Sequence, residues 1–183
     1  QYAIREQQPL TLLQGSSDIG SGGGRVDSPD LLVEIPIASG DELVEYNFCE
    51  VPPATISGYV FQDGPTLITT DGKLPAQLRP LRDGMRDEED TPIAGVVLEL
   101  RTLTGQPCPS DRALPGVYTG PTITVTTGPD GFFEFRGLRP GTYHIYQRQP
   151  VGYADGLDSA DTTGGFAINA EDTIDDFATQ ILL

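Results

Sequence analysis

Residues 2–24 of this chain, YAIREQQPLTLLQGSSDIGSGGG, align without a gap on residues 143–165, YHIYQRQPVGYADGLDSADTTGG. Seven of the 23 positions are identical: Tyr2/Tyr143, Ile4/Ile145, Gln8/Gln149, Pro9/Pro150, Gly15/Gly156, Gly23/Gly164 and Gly24/Gly165. Unrelated sequences of ordinary composition agree at about 7 % of positions, one or two here, so the match reads as an internal repeat with an offset of 141 residues. The repeat is out of phase with the chain. Residues 1–52 read as the C-terminal half of one repeat, residues 53–57 as a short linker, and residues 58–183 as a second repeat without its closing strand. The match to the segment that closes the first repeat, ELVEYNFC at 42–49, would fall after Leu183. A sheet missing a strand has an unpaired edge, so each incomplete repeat is expected to be completed by a neighbouring segment, through a longer chain or through assembly of copies.

The local pattern names the fold class. Capped helical periodicities are hard to find, whereas short alternating or β-branched runs recur between Gly, Pro and Asp, which predicts an all-β protein. The strongest strands fall at 55–61 (TISGYVF), 95–101 (GVVLELR), 121–127 (PTITVTT), 132–136 (FFEFR) and 142–149 (TYHIYQRQ). Weaker ones fall at 31–37, 42–49 and 178–183. Gly128-Pro129-Asp130-Gly131 predicts a hairpin between the third and fourth strong strands, because Pro presets φ and Asp-Gly tolerates positive φ. Leu138-Arg139-Pro140-Gly141 predicts a second turn of the same kind.

Charge and composition exclude several functions. With 27 Asp and Glu against 11 Lys and Arg, the formal charge of −16 repels a phosphate backbone, so nucleic acid is excluded as a partner. Despite 22 Gly and 16 Pro, a hydrophobic content of 37 % supplies a core. No run of about 18 apolar residues exists, so membrane insertion is not expected, and residues 1–10 lack the basic and apolar regions of a signal peptide. Cys49 and Cys108 belong to no zinc-type cluster; in an oxidising medium they are candidates for a disulfide, with free buried thiols as the alternative. His144, the sole imidazole, lies mid-strand, is matched by Ala3 in the first repeat and has no GxSxG partner, so no catalytic residue is assigned and an enzyme is not expected. Tyr59, Tyr143, Tyr146, Tyr153 and Phe166 could line a ligand patch, although alternate aromatics of a sandwich are usually core.

Several segments, in this order, resemble the B-type repeat domains of Gram-positive surface adhesins, the SdrD B-like and collagen-adhesin B (Cna-B) family. They are SGYVFQD at 57–63, DGMRDEEDTPIAGV at 83–96, DGFFEF at 130–135 and GLRPGTY at 137–143, with YNF at 46–48 resembling the closing strand. An insertion at 65–80 separates Asp63 from Asp83 and departs from the compact form. The resemblance implies an Ig-like, transthyretin-like (prealbumin-like) β-sandwich. It also implies an extracellular or cell-surface location.

Some members of that family bind calcium through a loop similar to an EF-hand, and Asp63, Asp83, Asp87 and Asp90 fall on the matching positions, with Glu88 and Glu89 nearby. A solvated acidic surface is the alternative for these residues. Asp155, Asp158 and Asp161 form a second acidic loop, more simply read as a solvated turn. The isopeptide bond of collagen-adhesin relatives is not expected, because the first strand has no Lys and Lys73, the only lysine, lies in the insertion, away from Asn47 and Asn169. The resemblance and the phase of the repeat together predict an extracellular structural repeat of a long surface or filament-forming protein. Calcium would be its cofactor, and copies of itself or adjacent repeats its partners. In the sharper form, residues 42–49 of one unit add as a strand to the open sheet of another. The alternative is an adhesin module that uses the Lys73 insertion or the Asp155 loop to hold a host protein or glycan.

Overall fold

The computed structural model describes residues 1–64, 84–153, 156–160 and 164–167, and the backbone of residues 177–182. The chain is all-β, built of antiparallel strands, and among the described residues a 3-10 turn lies at Ser110–Arg112. It divides into two compact units, each described by itself. The first comprises Gln1–Ala54, Ala113–Val117 and Gly137–Pro140; the second comprises Thr55–Arg112, Tyr118–Arg136 and Gly141–Leu183.

In the first unit, β1 (Tyr2–Arg5), β4 (Leu31–Ile35) and β3 (Arg25–Ser28) form a sheet in the order β1-β4-β3. Alternation in LLVEI turns Leu32 and Ile35 inward, both essentially inaccessible, with a one-residue break between them. Glu34 absorbs that break at φ 59°, a left-handed conformation rare for a residue with a Cβ. β2 (Leu13–Asp18) pairs with β5 (Asn47–Val51), and Gly15 is obligatory there because a Cβ would run into the Cys49 carbonyl. Leu114 N donates to Gly137 O at 2.7 Å, and the Arg139 guanidinium donates to Gln14 O at 2.8 Å, tying the two later segments to this unit.

The second unit carries a four-stranded sheet, β10 (Thr124–Thr126), β9 (Val97–Arg101), β12 (Thr142–Gln147) and β13 (Phe177–Leu182), in that order. β11 (Phe132–Leu138) pairs with β6 (Ala54–Tyr59), and β7 (Phe61–Gln62) pairs with β8 (Thr91–Pro92). Leu98, Leu100, Tyr143 and Ile145 from the first of these sheets and Ile56 and Phe135 from the second are buried. Glu99 is also buried: Arg148 Nε donates to its Oε1 at 2.8 Å and Arg101 to its Oε2 at 3.1 Å. Burial pushes that carboxyl up, but the two guanidinium groups outweigh it and hold the carboxyl below its ordinary range.

Two expectations change. The turn at 128–131 forms, with Gly131 N donating to Gly128 O at 3.0 Å, Phe132 N to Asp130 Oδ1 at 3.1 Å, and Gly131 at φ 75°. It is not a hairpin, because β10 joins β9 while β11 crosses to β6; the residues of FFEFR that bury on β11 need the second sheet rather than β10. The closing strand expected at 42–49 lies at Asn47–Val51, since Glu45 at φ 65° interrupts the run. The boundary between the two units, Ala54/Thr55, falls inside the segment read as a linker at 53–57, where β6 begins.

The aligned segments at 2–24 and 143–165 occupy matching environments. Tyr2, Ile4 and Arg5 face Ile35, Leu32 and Leu31, while Tyr143, Ile145 and Tyr146 face Ile181, Ala178 and Phe177. Each pair of strands steps by one residue at the same place. Past the strands, Gln8 Nε2 donates to Leu12 O at 3.1 Å and Gln149 Nε2 to Tyr153 O at 3.0 Å. Leu12 N reaches Pro9 O at 3.2 Å and Tyr153 N reaches Pro150 O at 3.3 Å, and Gly23 and Gly164 have φ of 76° and 73°.

Thr127 ties two loops of the second unit together from a buried position: its hydroxyl accepts from Val96 N at 2.9 Å and donates to Ile93 O at 2.8 Å. Thr127→Val keeps the shape and strands both backbone groups, so it should lower the unfolding free energy by about 1–3 kcal/mol at unchanged denaturant m-value, with Thr127→Ser losing less. Equilibrium urea unfolding measures this.

Candidate metal centre

The acidic loop that runs from Asp63 to Asp90 is closed at its base by β7 and β8. Gln62 faces Thr91 and Phe61 faces Pro92, so the insertion leaves and returns at one point with Asp63 and Asp90 on either side of the mouth. The carboxylates then hold the loop. Gly64 N donates to Asp90 Oδ1 and Asp87 N to Asp90 Oδ2, each at 2.8 Å, Gly84 N donates to Asp63 Oδ2 at 2.8 Å, and Glu89 N donates to Asp87 Oδ1 at 2.7 Å. Gly64 and Gly84, both buried, take φ of 71° and 75°, which the tight mouth requires.

Among the described residues, no Lys or Arg pairs with Asp63, Asp87 or Asp90. The nearest guanidinium in sequence, Arg86, lies instead over the Tyr59 ring at 3.9 Å. The donors are all hard oxygens, and a carboxylate oxygen that accepts one amide keeps a second lone pair for a hard cation. The carboxylates do not converge by themselves: Asp63, Asp87 and Asp90 do not form a trio with oxygens within 4.8 Å of one another. Asp83 lies outside the described residues. Of the second acidic loop, Asp155 and Asp161 also lie outside them, but Asp158 is described and its neighbour Leu157 abuts the first loop, its Cβ only 2.9 Å from where a Cβ on Gly84 would stand. The two acidic loops, separate in sequence, are adjacent.

The trio that does converge is Glu6, Asp30 and Glu50, which the sequence reading missed. Their carboxylate oxygens lie within 4.8 Å of one another. Glu6 follows β1, Asp30 precedes β4 and Glu50 is on β5, and Glu6 N donates to Asp30 O at 2.9 Å, so it is the strand pairing that gathers three acids distant in sequence. Gln8 Nε2 donates to Glu50 Oε2 at 2.6 Å, while Glu6 Oε2, Asp30 Oδ1, Glu50 Oε1 and Gln8 Oε1 are shielded from solvent without a hydrogen-bond partner among the described residues. Desolvation first, then the charges of Glu50 and Asp30, raise the Glu6 carboxyl above its ordinary value. These oxygens too could hold a hard cation.

The remaining candidates disperse. Neither cysteine is disulfide-bonded: Cys49 is exposed on β5, and Cys108 is fully buried, its N–H donating to Leu100 O at 2.8 Å. Lys73 and Asn169 lie outside the described residues, and Asn47 is exposed on β5. His144 sits in β12 between Arg101 of β9 and Gln180 of β13. The aromatics form no single patch: Tyr143 is core, Tyr146 lies under Arg101 at 3.9 Å, Tyr59 packs on Phe132 at 5.3 Å between ring centres, and Phe166 is exposed.

Two carboxyls give opposite pH signatures. Glu6 binds its proton more tightly folded than unfolded, so its contribution is full below about pH 4.5 and is lost as pH rises through its higher folded value. Glu99, held low, contributes above its unfolded value and loses that contribution as pH falls through its folded value. In chelator, Glu6→Gln should therefore raise the melting temperature at pH 7 and leave it unchanged at pH 3, whereas Glu99→Gln should lower it at pH 7 with a smaller loss in acid. Calorimetric melts across pH 3–8 distinguish the two. No family model, curated protein or solved structure matches this chain.

Proposed function

We propose that the chain is a structural β-repeat of a long extracellular or filament-forming protein, a transthyretin-like sandwich braced by calcium at the Asp63–Asp90 mouth. The observation that carries the reading is the recurrence of one strand pair and turn, β1–β4 with Pro9 and β12–β13 with Pro150, with the same one-residue step. Building one supersecondary unit repeatedly is how elongated proteins gain length, each unit burying its face against neighbouring chain. The resemblance of 57–63, 83–96 and 130–143 to surface-adhesin repeats supports the extracellular location.

Calcium is supported by the donor set at the loop mouth and by the absence of a compensating side-chain cation there among the described residues. Asp63, Asp87 and Asp90, with Asp83, would hold the ion, which would neutralise part of a formal charge of −16 and fasten the loop to the β7–β8 base. The partners are other units of the same kind. Within the chain β5 is paired with β2 on one edge, so strand addition by residues 42–49 would use the other.

Electron microscopy of the native protein in millimolar calcium should show uniform filaments with an axial repeat of one or two sandwich domains, softened or lost on chelation. Dispersed particles in both conditions would overturn the filament and turn the search toward a protein or glycan ligand. Independently, calcium at about 100 times its Kd should stabilise by ~2.7 kcal/mol, roughly 5–10 °C in Tm for a chain of this size, and Asp63→Asn with Asp90→Asn should abolish that shift. An unchanged Tm in the unmutated protein would remove calcium from the reading.

A further inference from the structure

The two matching strands differ in one respect. β12 is filled on both edges: β13 lies on one side, and on the other β9 sets Arg101, Leu100, Glu99 and Leu98 against His144, Ile145, Tyr146 and Gln147. Arg148 N extends the same ladder to Val97 O at 2.9 Å. β1, in the equivalent place, is filled on one edge only. It ends the sheet order β1-β4-β3, and among the described residues no strand lies on its other side. The side chains register the difference: Tyr143 and Ile145 are each 5 % exposed, whereas their counterparts Tyr2 and Ile4 are 61 % and 40 % exposed.

The direction of the open edge follows from pleat alternation. Glu6 N points to β4, where it meets Asp30 O, so the backbone groups of Ala3, Arg5 and Gln7 point the opposite way. These are the counterparts of His144, Tyr146 and Arg148, the last of which donates to β9. An unpaired edge of this kind, lined by exposed apolar side chains, is a template for another strand.

We infer that the free edge of β1 is a docking site for an antiparallel strand of the β9 pattern, supplied by polypeptide other than the chain's own β9. The register is read from β12: an aliphatic residue falls opposite Ile4, as Leu100 falls opposite Ile145, and an acid falls opposite Arg5, as Glu99 falls opposite Tyr146. The acid is favourable at that place, because Arg5 would stand directly across from it, the cross-strand arrangement that opposite charges prefer. The β9 of a second folded copy is not the occupant, since β10 and β12 take both its edges. The docked strand must be one that has not completed a sheet of its own. The inference deepens the structural-repeat reading, and rests on it only for where such a strand comes from.

The test uses the intact chain and the synthetic peptide GVVLELRT, the sequence of residues 95–102. Expected are saturable binding by calorimetry and a gain of at least tenfold in hydrogen-exchange protection at the amides of Ala3, Arg5 and Gln7, with Ile4 and Glu6 unchanged. Ala3→Pro, which removes one edge donor without touching the β4 ladder, should weaken binding tenfold or more. Arg5→Glu should weaken it similarly, and a peptide with Arg in place of its Glu should restore it; this exchange does not depend on the proline variant folding. The inference is overturned if the three amides are already protected in the free chain, if saturating peptide leaves them unprotected, if a scrambled peptide binds equally, or if the charge exchange fails to restore binding. Failure of peptide binding with filaments still seen by microscopy would leave the structural-repeat reading standing on another contact. Binding without filaments would do the reverse.

Discussion

A β-strand has two hydrogen-bonding edges, and leaving either buried and unpaired costs too much to tolerate. Most of what distinguishes the parts of this molecule follows from which edges are filled. β12 sits between β9 and β13, and with both ladders complete its Tyr143 and Ile145 enter a core. β1 carries a similar alternation and pairs with β4 alone among the described residues, and its Tyr2 and Ile4 remain exposed. The sequences of the two strands are close enough that burial is decided by the neighbour rather than by the strand. The acidic loop obeys the same rule in miniature: two residues of pairing between β7 and β8 place Asp63 and Asp90 on either side of its mouth.

How much of this could be read from the residues depended on the range of the interaction. Strands such as 95–101 and 142–149 are visible because period-two alternation is a local signal, and the turn at 128–131 because Gly131 must take positive φ. The partner of each strand is not local, which is why a turn that reverses the chain was read as a hairpin although β10 and β11 enter different sheets. Polar strands such as SSD in β2 and RVDS in β3 carry little alternation and are strands only because β5 and β4 recruit them. Of the acidic loop, the residues and their proximity were legible in part, since Asp87 and Asp90 are close in sequence, while the β7–β8 closure that aligns Asp63 with them was not. The Glu6, Asp30 and Glu50 trio was invisible for the stronger reason that it exists only once β1, β4 and β5 are in register. The signal that could have found it is an acid next to each strand end in a unit otherwise recognised as a repeat.

The electrostatics are organised by the same scarcity of cations. With 11 basic residues against 27 acids, most carboxylates have no basic partner to choose. Glu99 takes two, Arg101 and Arg148, and Arg101 also covers Tyr146. Elsewhere backbone N–H groups do the work: the Asp63–Asp90 loop is held by carboxylate-to-amide bonds rather than by salt bridges. Such bonds are short-ranged and little screened by salt, unlike surface ion pairs. An acidic fold of this kind keeps its loops shaped without a matching population of lysines.

The shared one-residue step of the two strand pairs bears on how the chain reaches this state at all. A step fixes alignment, because any slip would leave it unmatched. Here both pairs step at the same place, so the exchanged partners, β1 with β13 and β12 with β4, would satisfy identical backbone ladders. Nothing in the main chain tells right from wrong, and mispairing between like segments is the characteristic error of repeat proteins. Two things separate the outcomes. Side-chain identity has diverged at most of the aligned positions, and β1 and β4 are both complete by Ile35, so during vectorial synthesis they can close on each other long before the ribosome has made β12. The order of emergence, written into the chain as the short distance from β1 to β4, does the proofreading that the backbone geometry leaves undone.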